Sequence, residues 1–286
     1  MDKCVKILIA CHKPSPIPKA EALFPVQVGM KGADIQMGLQ GDDEGDNISD
    51  KNYCYCELTA LYWAWKNLKD IDVIGLCHYR RYFDFHGQCI RFLSDTSFPV
   101  SAISELDFSL DEATLKKVMA GGVVVPKALP WNSTLEQQYC KGHISEDYKT
   151  LCKVFFDTQS EKYKKAFDEV IVRGYKFHPY NMMVMRWTDF DAYCKWLFSL
   201  LFKVEQKVDI SHYSTYQQRI FGFMAERLLN VWLYAEKKLR IERPVIFIDE
   251  NCKQRFPHRY APRKTLRGIK GAWRCRMINW YYRKTV

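Results

Sequence analysis

Residues 72–83, DVIGLCHYRRYF, pass from an apolar run straight into a histidine, a tyrosine and two adjacent arginines. Val73, Ile74, Gly75, Leu76 and Cys77 read as a strand buried on both faces, the pattern of a parallel sheet. His78, Tyr79, Arg80 and Arg81 then stand at its carboxyl end. In open α/β sheets ligands bind outside that end, so two permanently charged guanidiniums there suit an anion such as a diphosphate. Solvated arginines on an edge strand fit the same stretch equally well.

Upstream, VKILIA (5–10) predicts a first strand, closed by Cys11-His12-Lys13-Pro14. Residues 14–52 read mostly as loop, with Pro14, Pro16, Pro18 and the acidic stretch GDDEGDNISDKN at 41–52, a solvated turn that caps the next helix. That helix spans 53–68, with Thr59, Lys66 and Asp70 on its wet side and Glu57 on a face shared with Leu61, Ala64 and Leu68. A carboxylate facing a core needs a partner, and Arg80 and Arg81 are the natural candidates. Downstream the pattern predicts helix 111–120, strand 121–126, a helical stretch 134–173, one strand over 175–185, helices 188–206 and 215–238, and a last strand within RPVIFID. Strands alternating with helices, without internal repeat, predict an α/β three-layer sandwich with a mostly parallel central sheet over residues 1–250, followed by a separate basic tail, 251–286.

The chain has 286 residues, 48% of them hydrophobic and 15% aromatic, which excludes general disorder. No apolar run approaches the roughly 20 residues that span a bilayer, and Met1 to Ala10 lack the build of a signal peptide. Eleven cysteines without a CxxC pair suit a reducing cytoplasm. His86-x2-Cys89 and Cys140-x2-His143 have spacings that zinc uses, although such pairs arise readily by chance in so Cys-rich a chain. The net charge of +10 belongs wholly to the tail, which has eleven Lys/Arg after Glu250 and no acid. Such asymmetry points to a polyanionic surface, anionic lipid or nucleic acid.

Neither GxGxxG, GxxxxGK[ST] nor GxSxG occurs, so the common dinucleotide, P-loop and serine-hydrolase fingerprints are absent. What remains is a set of polar clusters where strands end: His12, His78 to Arg81, and Tyr180-Asn181. Such clusters suit a nucleotide sugar.

With KILIACHKP near the N-terminus, the segments GDDEGDNISDKNYCYCELTALYWAWKNL, DVIGLCHYRRYF, HPYNMMVM and YQQRIFGFMAERLL resemble, in this order, a bacterial family of capsular and exopolysaccharide glycosyltransferases long catalogued as a domain of unknown function. The resemblance covers roughly residues 3–250. It implies a GT-A-like (Rossmann-like) fold and transfer of a hexose, with galactose in pyranose or furanose form one candidate, from a UDP-sugar to a lipid-linked oligosaccharide. His12, Asp43, Asp46, Asn47, Glu57, His78, Tyr79, Arg80, Arg81, Asn181, Gln218, Arg219, Glu226 and Arg227 occupy its motif positions. Glu226, and after it Asp46, is the carboxylate expected to take the acceptor's proton; the others are expected to hold the donor and its diphosphate. A surface ion pair is the commoner fate of a helical Glu. Arg227 falls on the apolar stripe of Ile220, Met224 and Val231 and is expected to be buried.

GT-A enzymes commonly carry a metal on a DxD at a mid-sheet strand end. Here Asp70-x-Asp72 precedes its strand and Asp189-x-Asp191 sits in a helix first turn, so both read as punctuation. Cationic side chains are expected to replace the metal, with no cofactor required, though Mg or Mn is compatible. In KTLRGIKGAWRCRMINWYYRK the apolar residues Leu266, Ile269, Trp273, Met277, Trp280 and Tyr281 fall three and four apart among cations, an interfacial anchor in outline. The expected location is therefore cytoplasmic, at the inner face of the cell membrane. A non-catalytic protein binding RNA through the tail is the competing reading, but no RNP-like motif occurs and nucleic acid is not the expected partner.

Overall fold

The structure, a computed structural model, describes residues 3–90 and 93–252. Among the described residues twelve strands are formed: β1 Val5–Cys11, β2 Leu23–Gln27, β3 Gln40–Gly41, β4 Val73–His78, β5 Arg81–Phe83, β6 Asp95–Pro99, β7 Val123–Pro126, β8 Leu129–Pro130, β9 Lys176–Phe177, β10 Met183–Arg186, β11 Arg240–Arg243 and β12 Val245–Asp249. The helices are α1 Asn52–Tyr55, α2 Leu58–Asn67, α3 Glu112–Met119, α4 Leu135–Gly142, α5 Ser145–Thr158, α6 Glu161–Phe167, α7 Trp187–Glu205 and α8 Ile220–Ala235. The fold is mixed α/β. Its central sheet runs β11-β7-β10-β4-β1-β2-β3, with every strand parallel except β10.

Alternation along each strand builds a separate core on each face. Leu8, Ala10, Ile74, Leu76, Val123, Val125, Met183 and Met185 join the large core under α2, α5, α7 and α8. Ile7, Ile9, Cys11, Val73, Cys77, Val124 and Val184 face the other way, onto Val118 of α3 and onto Tyr82, Phe83, Val245 and Ile246. Those last residues belong to a branch of the sheet in which β5 pairs antiparallel with β4 and β12, and β12 pairs parallel with β6. Helices, sheet and branch make the three layers.

Gly75 marks a close approach of two strands. A β-carbon there would come within 2.8 Å of the Val184 side chain and 2.9 Å of the Met183 carbonyl, so β10 can lie against β4 only over a glycine.

Three expectations change. Residues 14–52 contain β2 and β3 rather than loop alone. Pro25 is tolerated because it pairs with Ile9 on one side and lies beyond the two-residue β3 on the other. The helix expected at 53–68 is broken at Cys56, whose φ is 53°, into α1 and α2. Thr59, expected on the wet side, is fully buried, because its hydroxyl bonds the Cys56 carbonyl (3.1 Å) and receives the Asn52 amide (3.1 Å), securing the break. The strand expected over 175–185 is also broken: β9 and β10 are separated by Tyr180 and Asn181, with φ of 74° and 55°. No helix among the described residues is long and apolar enough to cross a membrane. The tail call, 251–286, lies outside the described residues beyond Cys252.

Candidate active site

The parallel run turns back at β1. β2 and β3 extend the sheet to one side and β4 lies on the other, so the carboxyl ends of β1 and β4 flank a topological switch point, where α/β folds bind ligands. His12 follows β1 and His78 ends β4, with Ala10 and His78 in register. Both breaks in regular structure meet here. The Cys56 kink presents Glu57 at the head of α2, and the Tyr180–Asn181 kink delivers Asn181 opposite it, where its amide donates to Glu57 Oε1 (2.6 Å) and to the Gly222 carbonyl of α8 (3.1 Å). Asn181 is 2% exposed, and its own carbonyl oxygen lacks a partner among the described residues. Gly222 lets α8 approach the kink, since a β-carbon would stand 3.3 Å from Cys56 Sγ.

Tyr180 joins the cluster through its backbone. Its N–H donates to Glu226 Oε1 (2.6 Å), and its carbonyl accepts from His78 Nε2 (2.7 Å). Glu226 Oε2 pairs with Arg227 at 3.0 Å. Burial raises the Glu226 pKa above the usual carboxylate range, and the charge of Glu57 adds to that rise while Arg227 opposes it. Burial also holds His78 below the ordinary histidine value, against the opposing pull of Glu57. His12, at the rim and edge-on to the Tyr79 ring at 4.9 Å, is lowered by partial burial and then by Lys13, Arg219, His78 and Arg80. Arg227 is buried, as its stripe predicts, and besides Glu226 it reaches the Phe223 carbonyl, Gln138 and the faces of Tyr139 and Phe177.

The arginine pair is divided. Arg80, in the turn, is ion-paired with Glu250 at the end of β12. Arg81 lies over the rings of Tyr180 (4.9 Å) and Phe247 (5.3 Å), with no ion-pair partner among the described residues. Neither binds Glu57, the partner expected of them; Asn181 takes that place because the two backbone kinks meet there. Arg219, at the head of α8, points at Cys56 Sγ (3.3 Å) and lies over Phe223. Cations without an ion pair among the described residues therefore border a half-buried acid pair.

Other motif residues stand elsewhere. Asp46 is exposed, bonded to the Tyr62 hydroxyl (3.1 Å) and the Asn67 amide oxygen through its own N–H (3.1 Å), with Lys66 at 3.9 Å. Asn67 ends the ten-residue α2, so about 15 Å of helix separates that anchor from Glu57. Asp43 is exposed, and Asn47 donates to the carbonyls of Asp43 and Gly45, closing the acidic loop on itself. The buried acid of that loop is Asp42, which sequence reading passed over; it accepts the Gly29 and Met30 N–H groups and the Ser49 hydroxyl. Gln218 lines a separate cleft with Glu205. His178, also passed over, is fixed by Asn230 and the Pro126 carbonyl beneath the kink, and only its place in HPYNMMVM hinted at it.

The proposed metal motifs are otherwise engaged. Asp72 accepts the Cys4 N–H and pairs with Lys3, and Asp189 pairs with Arg186 and Lys238. The zinc spacings do not converge: His86 bonds Ser109, Cys89 lies against the Val245 carbonyl, and His143 stacks on Phe223 at 4.0 Å. Among the described residues no three His, Cys, Asp or Glu side chains gather as a metal site.

Residues 6–238 match the family described as a domain of unknown function, DUF4422. The chain belongs to this family. Among solved structures it is similar to WbbM, described as a bifunctional glycosyltransferase in its apo form, with 27% identity and a TM-score of 0.77. The match covers 92% of this chain and 48% of WbbM, so the chain spans about half of that protein. No curated protein matches.

Proposed function

We propose that this DUF4422 chain is a glycosyltransferase that moves a hexose from a UDP-sugar to a lipid-linked glycan in surface-polysaccharide synthesis. The observation that carries the reading is the half-buried Glu57–Asn181–Glu226 cluster at the β1/β4 switch point, bordered by Arg81, Arg219 and His12. Likeness to half of a bifunctional glycosyltransferase supports it.

In this mechanism the acceptor hydroxyl attacks the anomeric carbon and gives its proton to Glu226 as the new glycosidic bond forms. The bond from that carbon to the β-phosphate oxygen breaks, and the departing UDP carries its added negative charge toward Arg81 and Arg219. A base works best with a pKa near the working pH, and burial beside a second carboxylate moves Glu226 in that direction. Fixed guanidiniums stabilise the leaving charge without a metal. The basic tail would hold the enzyme at the cytoplasmic face of the membrane, where a lipid-linked acceptor is presented.

The test is UDP release from a panel of UDP-sugars, with octyl glycosides as acceptors, in the presence and absence of EDTA. Turnover that survives EDTA is expected. Absence of binding or turnover with every nucleotide sugar would overturn the reading, and strict need for a divalent ion would overturn its metal-free part.

A further inference from the structure

The turn before α8 has two sides. Arg219 faces Cys56 and the acid cluster, while Gln218, its neighbour, lines a second cleft of about 350 Å³. α1 is shared in the same way, with Tyr53 and Cys54 on the cleft and Cys56 leading to Glu57. The remaining wall is the end of α7 and the loop after it, with Glu205, Asp209 and Ser211. This volume lies in the range of ligand-sized sites, about 300–1,000 Å³.

The chemistry of the walls differs from that of the strand-end site. Glu205 is neutralised by Lys51 at 2.8 Å and receives the Tyr55 hydroxyl at 3.1 Å, which fixes its carboxylate in place. Asp209 accepts the Ser211 N–H at 2.9 Å, and among the described residues no arginine lines the cleft. A diphosphate would meet acceptors and uncompensated negative charge there, an unfavourable pairing. A neutral polyol would not: its hydroxyls can donate to two carboxylates and bond the Gln218 amide, whose side chain makes no hydrogen bond among the described residues. Tyr53, 55% exposed, adds a ring face for the C–H surface of a sugar.

We infer that the Tyr53–Glu205–Gln218 cleft binds the glycan acceptor, the donor being held on the opposite side of the 217–219 turn. The inference rests on the glycosyltransferase reading. It makes Gln218 an acceptor-side residue, in place of the donor-side part its motif position implied.

The test uses full-length protein, UDP-galactose, and the octyl β-glycosides of galactose, glucose and N-acetylglucosamine. Tyr53→Ala and Gln218→Ala should each raise the acceptor KM by about tenfold or more, while the Kd for UDP, read by calorimetry, stays within about twofold of wild type. Saturation-transfer NMR should show at least one glycoside bound to wild type and its signal reduced in both variants. An acceptor KM unchanged in both variants, equal weakening of UDP binding, or a wild type that binds UDP but none of the three glycosides would overturn the assignment. A wild type that neither binds UDP nor turns over any UDP-sugar would instead defeat the underlying function.

Discussion

Asn181 is the side chain on which the cluster turns, and its replacement by alanine or glycine has a magnitude that the structure sets. Alanine removes the bond to the Glu57 carboxylate, about 1.5–3 kcal/mol for a charged acceptor, and the bond to the Gly222 carbonyl, about 1 kcal/mol. It also places alanine at φ 55°, a left-handed region that asparagine tolerates better, about 1–2 kcal/mol more. The sum is about 3.5–6 kcal/mol. Asn181→Gly makes the same two losses without the strain, so it should be the milder variant by about 1 kcal/mol. Urea unfolding at pH 7.5 measures both. In turnover, a Glu57 released from its partner should reduce kcat by about a hundredfold or more in both variants, because the carboxylate loses its position. Variants within 1 kcal/mol of wild type in stability and about twofold in kcat would show that Asn181 does not hold Glu57, and the cluster would lose its organising contact.

Further outcomes follow from the same geometry. Glu226→Gln should lower kcat by about 10²–10⁴. Glu57→Gln removes a like charge that raises Glu226, so the acid limb of the kcat/KM profile should move to lower pH; an upward move or none would contradict the pairing. Arg227→Met leaves Glu226 buried without its cation, so it should cost about 3–5 kcal/mol of stability and move that limb upward. His143, lowered to about 4 chiefly by burial and then by Arg227, is neutral when folded, so the unfolded chain binds its proton first as pH falls below 6.5. Its contribution is complete above that value and is lost toward pH 4, up to about 3 kcal/mol, and His143→Phe should flatten that part of the urea-stability profile. Arg81→Met should weaken UDP binding by about tenfold or more, a larger loss than Arg80→Met, because Arg80 is already matched by Glu250.

The strands β1 and β4 were legible because burial on both faces leaves an unbroken apolar run, and with them came the strand ends that carry His12, His78 and Arg81, but not the switch point, which needs β2 and β3. The kinks were not. A helical wheel carried through Cys56 placed Thr59 in water and Glu57 in the core, whereas the Asn52, Cys56 and Thr59 bonds reset the phase between α1 and α2. Tyr180–Asn181 was read as a polar cluster within one strand, because alternation alone cannot show a strand giving way to two positive-φ residues. β2 was hidden by Pro25, whose missing donor matters only where a neighbouring strand would need it. Adjacent residues were the hardest to separate. Asp42 is buried while Asp43 is exposed, Arg80 has an ion pair while Arg81 has none among the described residues, and Gln218 lines a cleft while Arg219 turns to Cys56. Each such choice is made by the partner across the fold, which local sequence does not contain.

A crystal structure with UDP bound tests the central claim most directly. The diphosphate should lie between the carboxyl ends of β1 and β4, within hydrogen-bonding reach of the Arg81 guanidinium. A diphosphate bound at another strand end, or an Arg81 turned to solvent with UDP in place, would contradict it.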